Sequence, residues 1–466
     1  MLDTEKLARR QSVPPEETAQ DPAPQPTKEV PFSSGFLDKT PTGCAARRIY
    51  LKTLISGVAA LGIVVFVVFS IYWGSVWSTP HHNLPGWIVD FDGGSIGQGV
   101  VQVLSAIDPG VNGIVWEVVS ASQFPGGISQ VENAVVQEET WVALTINSGA
   151  SANLTAALAA ADASYNSSLA ITFIGAEARN ENAYRVLSRV ATAQLEALSQ
   201  KFAIQFAAQN LTSASNMPAL LANAPQIVTR PLGYTIANIR PFDVAVASAV
   251  TFVGLIYLLI LSFFIVTVSA GARLVSGLEG RLTLAALIRV RLLTSFVSYF
   301  FIALFYTMLS RAFQLPFERR FGGGGFVIFW MLNWVGMLAC GLALEAMITL
   351  LTVRFVPFFL IVWIISNVSV SLWPLQVLPH VYRYGYAFPF YNISRAVRTI
   401  VFRTKNDVGM NFGILIAWTV LSCITLPLAQ WFVRRKAVAA AKAGKPALTP
   451  AQEEEEGEEE MGGVGA

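Results

Sequence analysis

Long apolar segments recur along the 466-residue chain and alternate with polar stretches. A membrane-spanning helix needs roughly 20 mostly apolar residues, because lipid offers no hydrogen-bond partner to exposed backbone groups. The apolar pattern therefore predicts a polytopic α-helical membrane protein with six transmembrane helices. These are Leu54–Tyr72, Val244–Ser269, Leu292–Leu309, Phe326–Leu351, Phe355–Leu372 and Phe412–Val433.

The long connection between the first two helices, residues 73–243, has the alternating pattern of an α/β domain. Its roughly 170 residues are enough for an independent core. Four short apolar runs predict strands, and an Ala-rich stretch at Ser148–Ala161 and a longer periodic one at Asn182–Gln209 predict helices. The four predicted strands are Trp87–Phe91, Gly113–Val119, Trp141–Ile146 and Leu169–Ile174.

The remaining segments complete a predicted domain plan. Residues 1–45 are polar and Pro-rich and predict a disordered leader, and the first transmembrane helix occupies residues 46–72. A five-helix membrane domain at residues 244–433 follows the loop. Residues 434–466 contain the run EEEEGEEE, whose like charges repel one another and predict a solvated cytosolic tail.

One connection within the membrane domain, residues 373–410, is unusual in its density of aromatic residues and prolines. Tyrosine and tryptophan prefer the headgroup level of a bilayer. This composition predicts an interfacial or partly re-entrant hairpin on the outer side, with an amphipathic helix at Asn392–Phe402. Its candidate interfacial residues are Arg383, Arg395 and Arg398.

Composition agrees with the membrane prediction. Hydrophobic residues make up 53% of the chain and charged residues only 13%, and the mean hydropathy is +0.52. Soluble proteins carry about a quarter charged residues. The net charge of +2 is not gathered into a basic stripe, so a nucleic-acid partner is not expected.

Basic residues near the helix ends predict that both termini are cytosolic. The loop at residues 73–243 is then extracytoplasmic, although two other connections carry arginines on the disfavoured side. Three sequons in that loop agree with the outward placement, and a fourth lies in the predicted hairpin. The candidate glycosylation sites are Asn153, Asn166, Asn210 and Asn392.

The loop opens with IVDFDGG, in which Asp90 and Asp92 precede Gly93 and Gly94. Haloacid-dehalogenase phosphohydrolases present a nucleophilic aspartate in this way, but they act where phosphorylated substrates abound. The interpretation favoured here is a strand-to-helix turn in which the glycines allow tight geometry and the carboxylates cap the helix. His81 and His82 are weighed as metal ligands beside these aspartates, and a solvated pair is favoured. We expect no enzyme activity, no metal and no cofactor.

Glu345 is the acidic residue placed well inside an apolar segment. A carboxylate within the membrane is costly and indicates a substrate pathway or a partner. The alternative is that Glu345 reaches the cytosolic surface. Asn333, Asn367 and Ser366 make the fourth and fifth helices the polar pair, for which interhelical hydrogen bonds are an equal explanation.

Several stretches resemble the fungal nitrosoguanidine-resistance family, which is related to the bacterial YhgE/Pip proteins and to type-2 ABC permeases. They are VDFDGGSIGQ, WVALTI, YNSSLAITFIGAEARNENAY and RYGYAFPFYNISRAVRTIVF, and the likeness covers about Arg47 to Val433. The resemblance implies a fungal plasma-membrane protein that protects against toxic compounds and is tied to lipid asymmetry. It brings no catalytic residues with it.

Two functions stay open. One is a permease-like exporter or lipid translocator, which needs a separate ATPase or an ion gradient because the chain has no nucleotide-binding motif. The other is a non-transporting organiser of lipid asymmetry or of other transporters. The expected partners are membrane lipids, a second copy of the chain and a separate ATPase or transporter.

Overall fold

The computed structural model describes residues 35–111, 113–210 and 217–442. Most of the predicted leader, the acidic run of the tail and residues 211 and 212 of the Asn210 sequon lie outside the described residues. The described end of the leader is helical, since α1 begins at Pro41, well before the predicted start of the first transmembrane helix.

The five strands of the sheet lie between residues 84 and 238, and helices come before, between and after them in the sequence. The helices are α1 Pro41–Val64, α2 Ser70–Val76, α3 Ser95–Ser105, α4 Ile128–Val136, α5 Ala150–Ala160, α6 Glu181–Asn210, α7 Met217–Asn223, α8 Pro225–Thr229, α9 Gly254–Val275, α10 Leu278–Arg281, α11 Leu284–Ala312, α12 Glu318–Phe321, α13 Gly325–Val368, α14 Pro389–Phe402 and α15 Val408–Lys442. The strands are β1 Leu84–Asp90, β2 Ile114–Val119, β3 Val142–Ile146, β4 Ile171–Gly175 and β5 Tyr234–Asn238.

The sheet has the order β2-β1-β3-β4-β5 and is mixed. Strands β1 and β2, β1 and β3, and β4 and β5 pair in parallel, whereas β3 and β4 are antiparallel. The chain goes from β1 to β2 on one side and then returns to β3 on the other. The carboxyl ends of β1 and β3 are therefore neighbours, with Asp90 opposite Ile146.

Each face of the sheet is covered by helices. One apolar core packs α3, α5 and α6 against the sheet around Ile88, Leu144 and Phe173, all with no exposed surface. A second core packs α4 against the opposite face around Val89, Val135 and Ile174. Every side chain of β3 is buried, as expected of a central strand covered on both faces.

The prediction of a mostly helical polytopic membrane protein is confirmed. Among the described residues, five helical segments are long and apolar enough to cross a bilayer: Pro41–Val76, Ala249–Val275, Leu284–Ala312, Glu318–Val368 and Val408–Ala439. The count differs from six because the predicted fourth and fifth helices share one segment. That segment contains α13, whose 44 residues would span roughly 66 Å if straight, about twice the apolar thickness of a bilayer.

Helix α13 is interrupted at Thr352, where φ is 65° and ψ is 169°. Its two halves both reach α14. An added Cβ on Gly336 would lie 2.7 Å from Cδ1 of Ile393, and Phe390 N donates a hydrogen bond to Asn367 Oδ1 at 3.1 Å. Gly336 and Asn367 would be about 46 Å apart along a straight helix, yet they contact residues within one turn of α14. The chain therefore reverses direction at Thr352.

Helix α14 corrects the prediction of an interfacial hairpin. The amphipathic helix is present, but residues from both of its faces are buried: Ile393 and Val397 at 2% and 0% exposure on one face, and Ser394 and Arg398 at 4% and 5% on another. Ile393 and Val397 pack into the same apolar core as the membrane helices. The helix is thus a packed element of the protein, because α13 and α15 cover the face that was expected to meet lipid.

Two elements of the sheet domain escaped the sequence pattern. Strand β5 has the residues YTIAN with only part of its surface buried, so its apolar alternation is weak. Helix α4 lies in a stretch where no element was predicted. The connection after α6 does not lead straight back to the membrane. Instead α7, α8 and β5 come first, because β5 completes the sheet edge beside β4.

Candidate functional site

Glu345 lies at the centre of a buried charge cluster built by four helices. Its Oε1 accepts from Arg291 Nε on α11 at 2.7 Å and faces Arg273 NH2 on α9 at 3.1 Å. The side chains of Arg273, Arg291 and Glu345 are 5%, 1% and 1% exposed. Glu345 neither reaches the surface nor stands alone; it is one member of an arginine–glutamate–arginine triad.

Arg291 anchors the triad through its whole guanidinium group. NH2 donates to the backbone oxygen of Glu345 and to Thr349 Oγ1, each at 2.7 Å, and NH1 donates to Gln430 Oε1 on α15. The planar fork of an arginine suits this many fixed acceptors, and a lysine could not reproduce it. The cluster therefore joins α11, α13 and α15, and Arg273 adds α9.

The triad is not fully compensated. Two arginines and one carboxylate leave an excess positive charge, and both Glu345 Oε2 and Arg273 Nε are buried without a hydrogen-bond partner in the described structure. A buried ion cluster contributes little to stability unless every polar atom is satisfied. These two polar atoms without hydrogen-bond partners indicate a role other than packing alone.

The other predicted pathway residues do not join Glu345. Asn333 lies 12 residues before it, about 18 Å along the helix, and donates from Nδ2 to Phe329 O at 2.8 Å. Asn367 accepts from the first turn of α14, and the backbone oxygen of Ser366 accepts from Tyr384 Oη at 3.0 Å. Asn333 thus bonds within its own helix, Asn367 and Ser366 bond to residues at or just before the start of α14, and no hydrogen bond of the described structure joins any of the three to Glu345.

The sequence signal for the two arginines was present but was assigned to another role. Arg273 and Arg291 lie near the ends of predicted helices and are among the basic residues from which cytosolic termini are predicted. Arg291 is in fact the eighth residue of α11, which begins at Leu284. The hydropathy of one segment indicates that an arginine lies near a helix end. Only the packing of the helices shows that its side chain points into the bundle.

A second charge cluster joins α14 to the sheet domain. Arg398 NH1 donates to Glu181 Oε2 at 2.6 Å and to Ala178 O at 3.0 Å. Arg395 donates to Glu138 Oε2 at 3.1 Å and to Asp407 Oδ2 at 2.7 Å. These arginines were expected to meet lipid headgroups; they bind carboxylates instead. Of the three predicted interfacial arginines, Arg383 is the exposed one.

The pKa values at this junction follow from burial and pairing. Burial alone would raise the pKa of Glu181, but Arg398 outweighs burial and lowers it below the ordinary value. Burial also opposes the charge on Arg395, and its neighbours Tyr391 and Glu138 raise its pKa above the ordinary value. Both groups are therefore held in their charged forms, and the junction is an ionic clamp.

Arg179 extends the clamp inside the sheet domain. Its guanidinium stacks 3.5 Å from the ring centroid of Trp141 and donates to Thr140 O at 2.8 Å. Burial lowers its pKa to about 10. Beside it, the side-chain amides of Asn180 and Asn182 each donate to Leu372 O at 3.2 Å. The sheet domain is thus fixed to the segment that follows α13 as well as to α14.

The aspartate turn sits at the carboxyl ends of β1 and β3, where many parallel sheets bind ligands because the strand order reverses there. Here the chain fills that position itself. Asp92 accepts from Ser151 N and Oγ at 2.9 and 2.5 Å and from Gly94 N at 3.2 Å, so one carboxylate caps both α3 and α5. Asp90 closes the turn by accepting from Gly93 N at 3.0 Å.

The environment of Asp92 agrees with this structural role. Burial opposes its charge, but the hydrogen bonds from Ser151 outweigh burial and lower its pKa below the ordinary value. The side chains of His81 and His82 lie next to each other with ring centroids 4.8 Å apart, and His380 stacks on His82 at 5.3 Å. Within the described residues, no group of three or more His, Cys, Asp or Glu is arranged to hold a metal.

The described glycosylation candidates differ in access. Asn153 on α5 and Asn166 before β4 are exposed. Asn392 is 1% exposed, and its Nδ2 donates to Tyr386 O and Phe388 O at 2.9 Å each. In this fold the acceptor nitrogen of Asn392 is inaccessible, which corrects its choice as a glycosylation site.

These features define a membrane-embedded multipass protein in which a mixed-sheet domain is clamped to a helical bundle with a buried ion triad. The chain belongs to DUF3533, a protein family of unknown function whose model matches residues 58–424.

Comparison with curated proteins shows a yeast relative of similar length. The chain is 27% identical over 451 residues to the uncharacterized endoplasmic reticulum membrane protein YJR015W of Saccharomyces cerevisiae, a match covering 90% of this chain and 88% of that protein. No solved structure matches the chain. The likeness to nitrosoguanidine-resistance proteins and to YhgE/Pip stays a prediction.

Proposed function

We propose that the protein is a permease-like, non-enzymatic membrane protein that moves amphiphilic compounds or lipids across the bilayer and so contributes to resistance to toxic compounds. The observation that supports this most directly is the under-compensated triad of Arg273, Arg291 and Glu345. Ionisable residues buried in a membrane bundle mark pathways and coupling sites, because burying them costs several kcal/mol.

In this proposal the triad is a gate at the end of the bundle. Arg291 is held by four acceptors, whereas Arg273 approaches the carboxylate at 3.1 Å and keeps a free Nε. The weaker contact is the one that can exchange. Movement of α9 away from α13 would release Arg273 from Glu345 while leaving the Arg291 anchor in place. Energy comes from an ion gradient or from a separate ATPase.

The proposal includes six crossings, with both halves of α13 spanning the bilayer and both termini cytosolic. The reversal at Thr352 supports this count, since each half reaches α14. The sheet domain then faces the extracytoplasmic side. The lumen of the endoplasmic reticulum and the cell exterior are equivalent for this arrangement, so it holds both for the expected plasma membrane and for the compartment named for the yeast relative.

The test uses full-length protein reconstituted in liposomes that contain a fluorescent lipid in both leaflets and across which a proton or sodium gradient is imposed. Translocation is read as the fraction that an external membrane-impermeant reductant quenches. Glu345→Gln combined with Arg273→Gln keeps the native excess of one positive charge but removes the exchangeable pair, and we expect at least a tenfold slower rate. Glu117→Gln at an exposed position of β2 is the matched control and should retain the wild-type rate. Equal rates in the double variant and the wild type would overturn the gate.

A second candidate is the non-transporting organiser. The ionic clamp of Arg395 and Arg398 on the sheet domain favours it, because a rigidly held domain suits a docking role for other membrane proteins. The two functions separate in one comparison of resistance in cells lacking the native protein. Loss of resistance in the Glu345/Arg273 double variant at normal membrane levels supports transport. Full resistance in that variant, with loss on Arg398→Gln, supports the organiser.

A further inference from the structure

Three arginines from different parts of the chain, Arg240, Arg320 and Arg403, meet where the sheet domain approaches the membrane helices. Arg240, just after β5, donates from Nε to Arg403 O at 3.0 Å, and Arg403 at the end of α14 donates to Arg319 O. Burial lowers the pKa of Arg240, and the nearby positive charges of Arg403 and Arg320 lower it further. Arg240 is therefore close enough to the guanidinium groups of Arg403 and Arg320 to be repelled by both.

Within the described residues, none of these three arginines has a carboxylate in ion-pair contact. The neighbouring Arg319 is occupied by Asp243, with contacts of 2.7 and 2.9 Å. Glu132 acts on Arg240 more weakly than the two arginines do. The cluster consequently carries about three positive charges that the protein itself leaves uncompensated.

An apolar groove begins directly beside the cluster. Its volume is about 370 Å³, and it lies between the start of α13 and the start of α15. Both helices enter candidate membrane spans at this level. The lining is hydrophobic except for Asn406 and includes Phe321, Val327, Met331, Val408 and Phe412. Phe321 follows Arg320 in the chain, so the groove and the positive charge share one edge.

The start of α13 leaves open space next to Arg320 in the chain. Gly322, Gly323 and Gly324 are exposed, and a Cβ built on any of them would meet nothing within 4 Å. No side chain caps the helix at Gly324. The backbone N–H groups here are already bonded, since Gly325 N donates to Gly322 O and Gly322 N to Glu318 O, so the exposed glycines contribute space for a headgroup and not a helix-end anion site.

We propose that this cluster and groove form a binding site for an anionic glycerophospholipid of the leaflet on the side of the sheet domain. The arginines Arg240, Arg320 and Arg403 would hold the phosphate and its acidic headgroup, and an acyl chain would lie along the groove between α13 and α15. The occupant is a bilayer lipid because the groove opens at the level where two spanning helices begin. The site is separate from the triad and does not depend on transport.

The test is photolabelling of the full-length protein in liposomes. The probes are phosphatidylserine and phosphatidylcholine that carry a diazirine on the acyl chain, and labelled peptides are located by mass spectrometry. We expect labelling of residues 321–331 and 408–412, several times stronger with phosphatidylserine. Each basic residue near a charged membrane surface contributes about fivefold in affinity. The Arg320→Gln and Arg403→Asn double variant should therefore bind phosphatidylserine roughly 25-fold more weakly; asparagine is chosen because residue 403 has a φ of 60°.

Two further variants separate the contributions. Arg383→Gln removes an exposed arginine elsewhere and should leave labelling unchanged. Val327→Trp fills the groove from a residue that is 51% exposed, and it should reduce labelling by both lipids without loss of folded protein. Equal labelling by the two lipids, or an unchanged preference in the double variant, would overturn the proposal. So would competition by millimolar inorganic phosphate alone, which would indicate a site for soluble anions.

Discussion

Replacing Glu345 by glutamine is the sharpest test of the triad as a structural unit. The substitution keeps the size of the side chain and one oxygen acceptor but removes the negative charge. Arg273 and Arg291 would then face each other inside the bundle without a counter-charge. Because both guanidinium groups are almost fully buried, at 5% and 1% exposure, water screens their repulsion poorly.

The expected loss is large. Removing one partner of a buried ion pair costs about 3–5 kcal/mol, mostly because the remaining charge stays buried and uncompensated. Arg273→Gln should cost less, since its contact with Glu345 is longer and its loss cancels the excess charge. The two changes should therefore couple: the double variant is expected to be about 1–3 kcal/mol more stable than the sum of the single effects.

The assay is equilibrium unfolding of the purified full-length protein in mixed micelles with a rising fraction of a denaturing detergent, followed by tryptophan fluorescence. Glu117→Gln on β2 is the control, because that side chain is exposed and its loss should change the free energy of unfolding by less than about 0.5 kcal/mol. If Glu345→Gln unfolds at the wild-type midpoint, or if the two changes are additive, the triad is not an energetically coupled unit.

Three further predictions concern other parts of the fold. The lowered pKa of Asp92 means that its ionised form stabilises the native state. This stability is present above about pH 4 and is lost as the pH falls through the folded-state pKa. Asp92→Asn should therefore cost about 0.5–2 kcal/mol at neutral pH, and the unfolding temperature of the variant should fall less steeply with acidification than that of the wild type. Gly341→Ala should cost about 1–3 kcal/mol, because its Cβ would press on the ring of the buried Tyr299, whereas Gly413→Ala, which meets nothing within 4 Å, should be neutral or stabilising in the same detergent titration. Arg398→Gln leaves its half-buried partner carboxylate without its ion pair, and limited proteolysis should then cut the connection at residues 373–388 faster than in the wild-type protein.

The position of the membrane helices could be predicted from local sequence because hydropathy is a property of each segment. Every predicted span overlaps an observed one, although the ends moved by several residues where polar side chains continue a helix beyond the lipid. The four predicted strands also overlap β1 to β4, since buried strands are rich in β-branched and aromatic residues. The DFDGG turn belongs to the same class, because its glycines and aspartates act within a few residues of each other.

The charge clusters depend on distances that the sequence does not contain. Arg291 and Glu345 are separated by 54 residues, and Arg398 and Glu181 by 217. Hydropathy measures the cost of placing a charge in lipid, but it does not identify the opposite charge that offsets this cost. From the sequence, an arginine near a helix end therefore predicts only which side of the membrane that end faces, and an amphipathic helix predicts a position at the membrane interface.

The sequence by itself determined that this protein is embedded in a membrane, that a mixed helix-and-strand segment lies between its first two apolar helices, and that DFDGG forms a turn. Each of these follows from side-chain solubility or backbone preference within a short window. Tertiary structure alone decided that α13 reverses at Thr352, that α14 is buried, and that Glu345 meets two arginines. These outcomes depend on which surfaces of distant segments pack together, and that choice is made by the free energy of the whole fold.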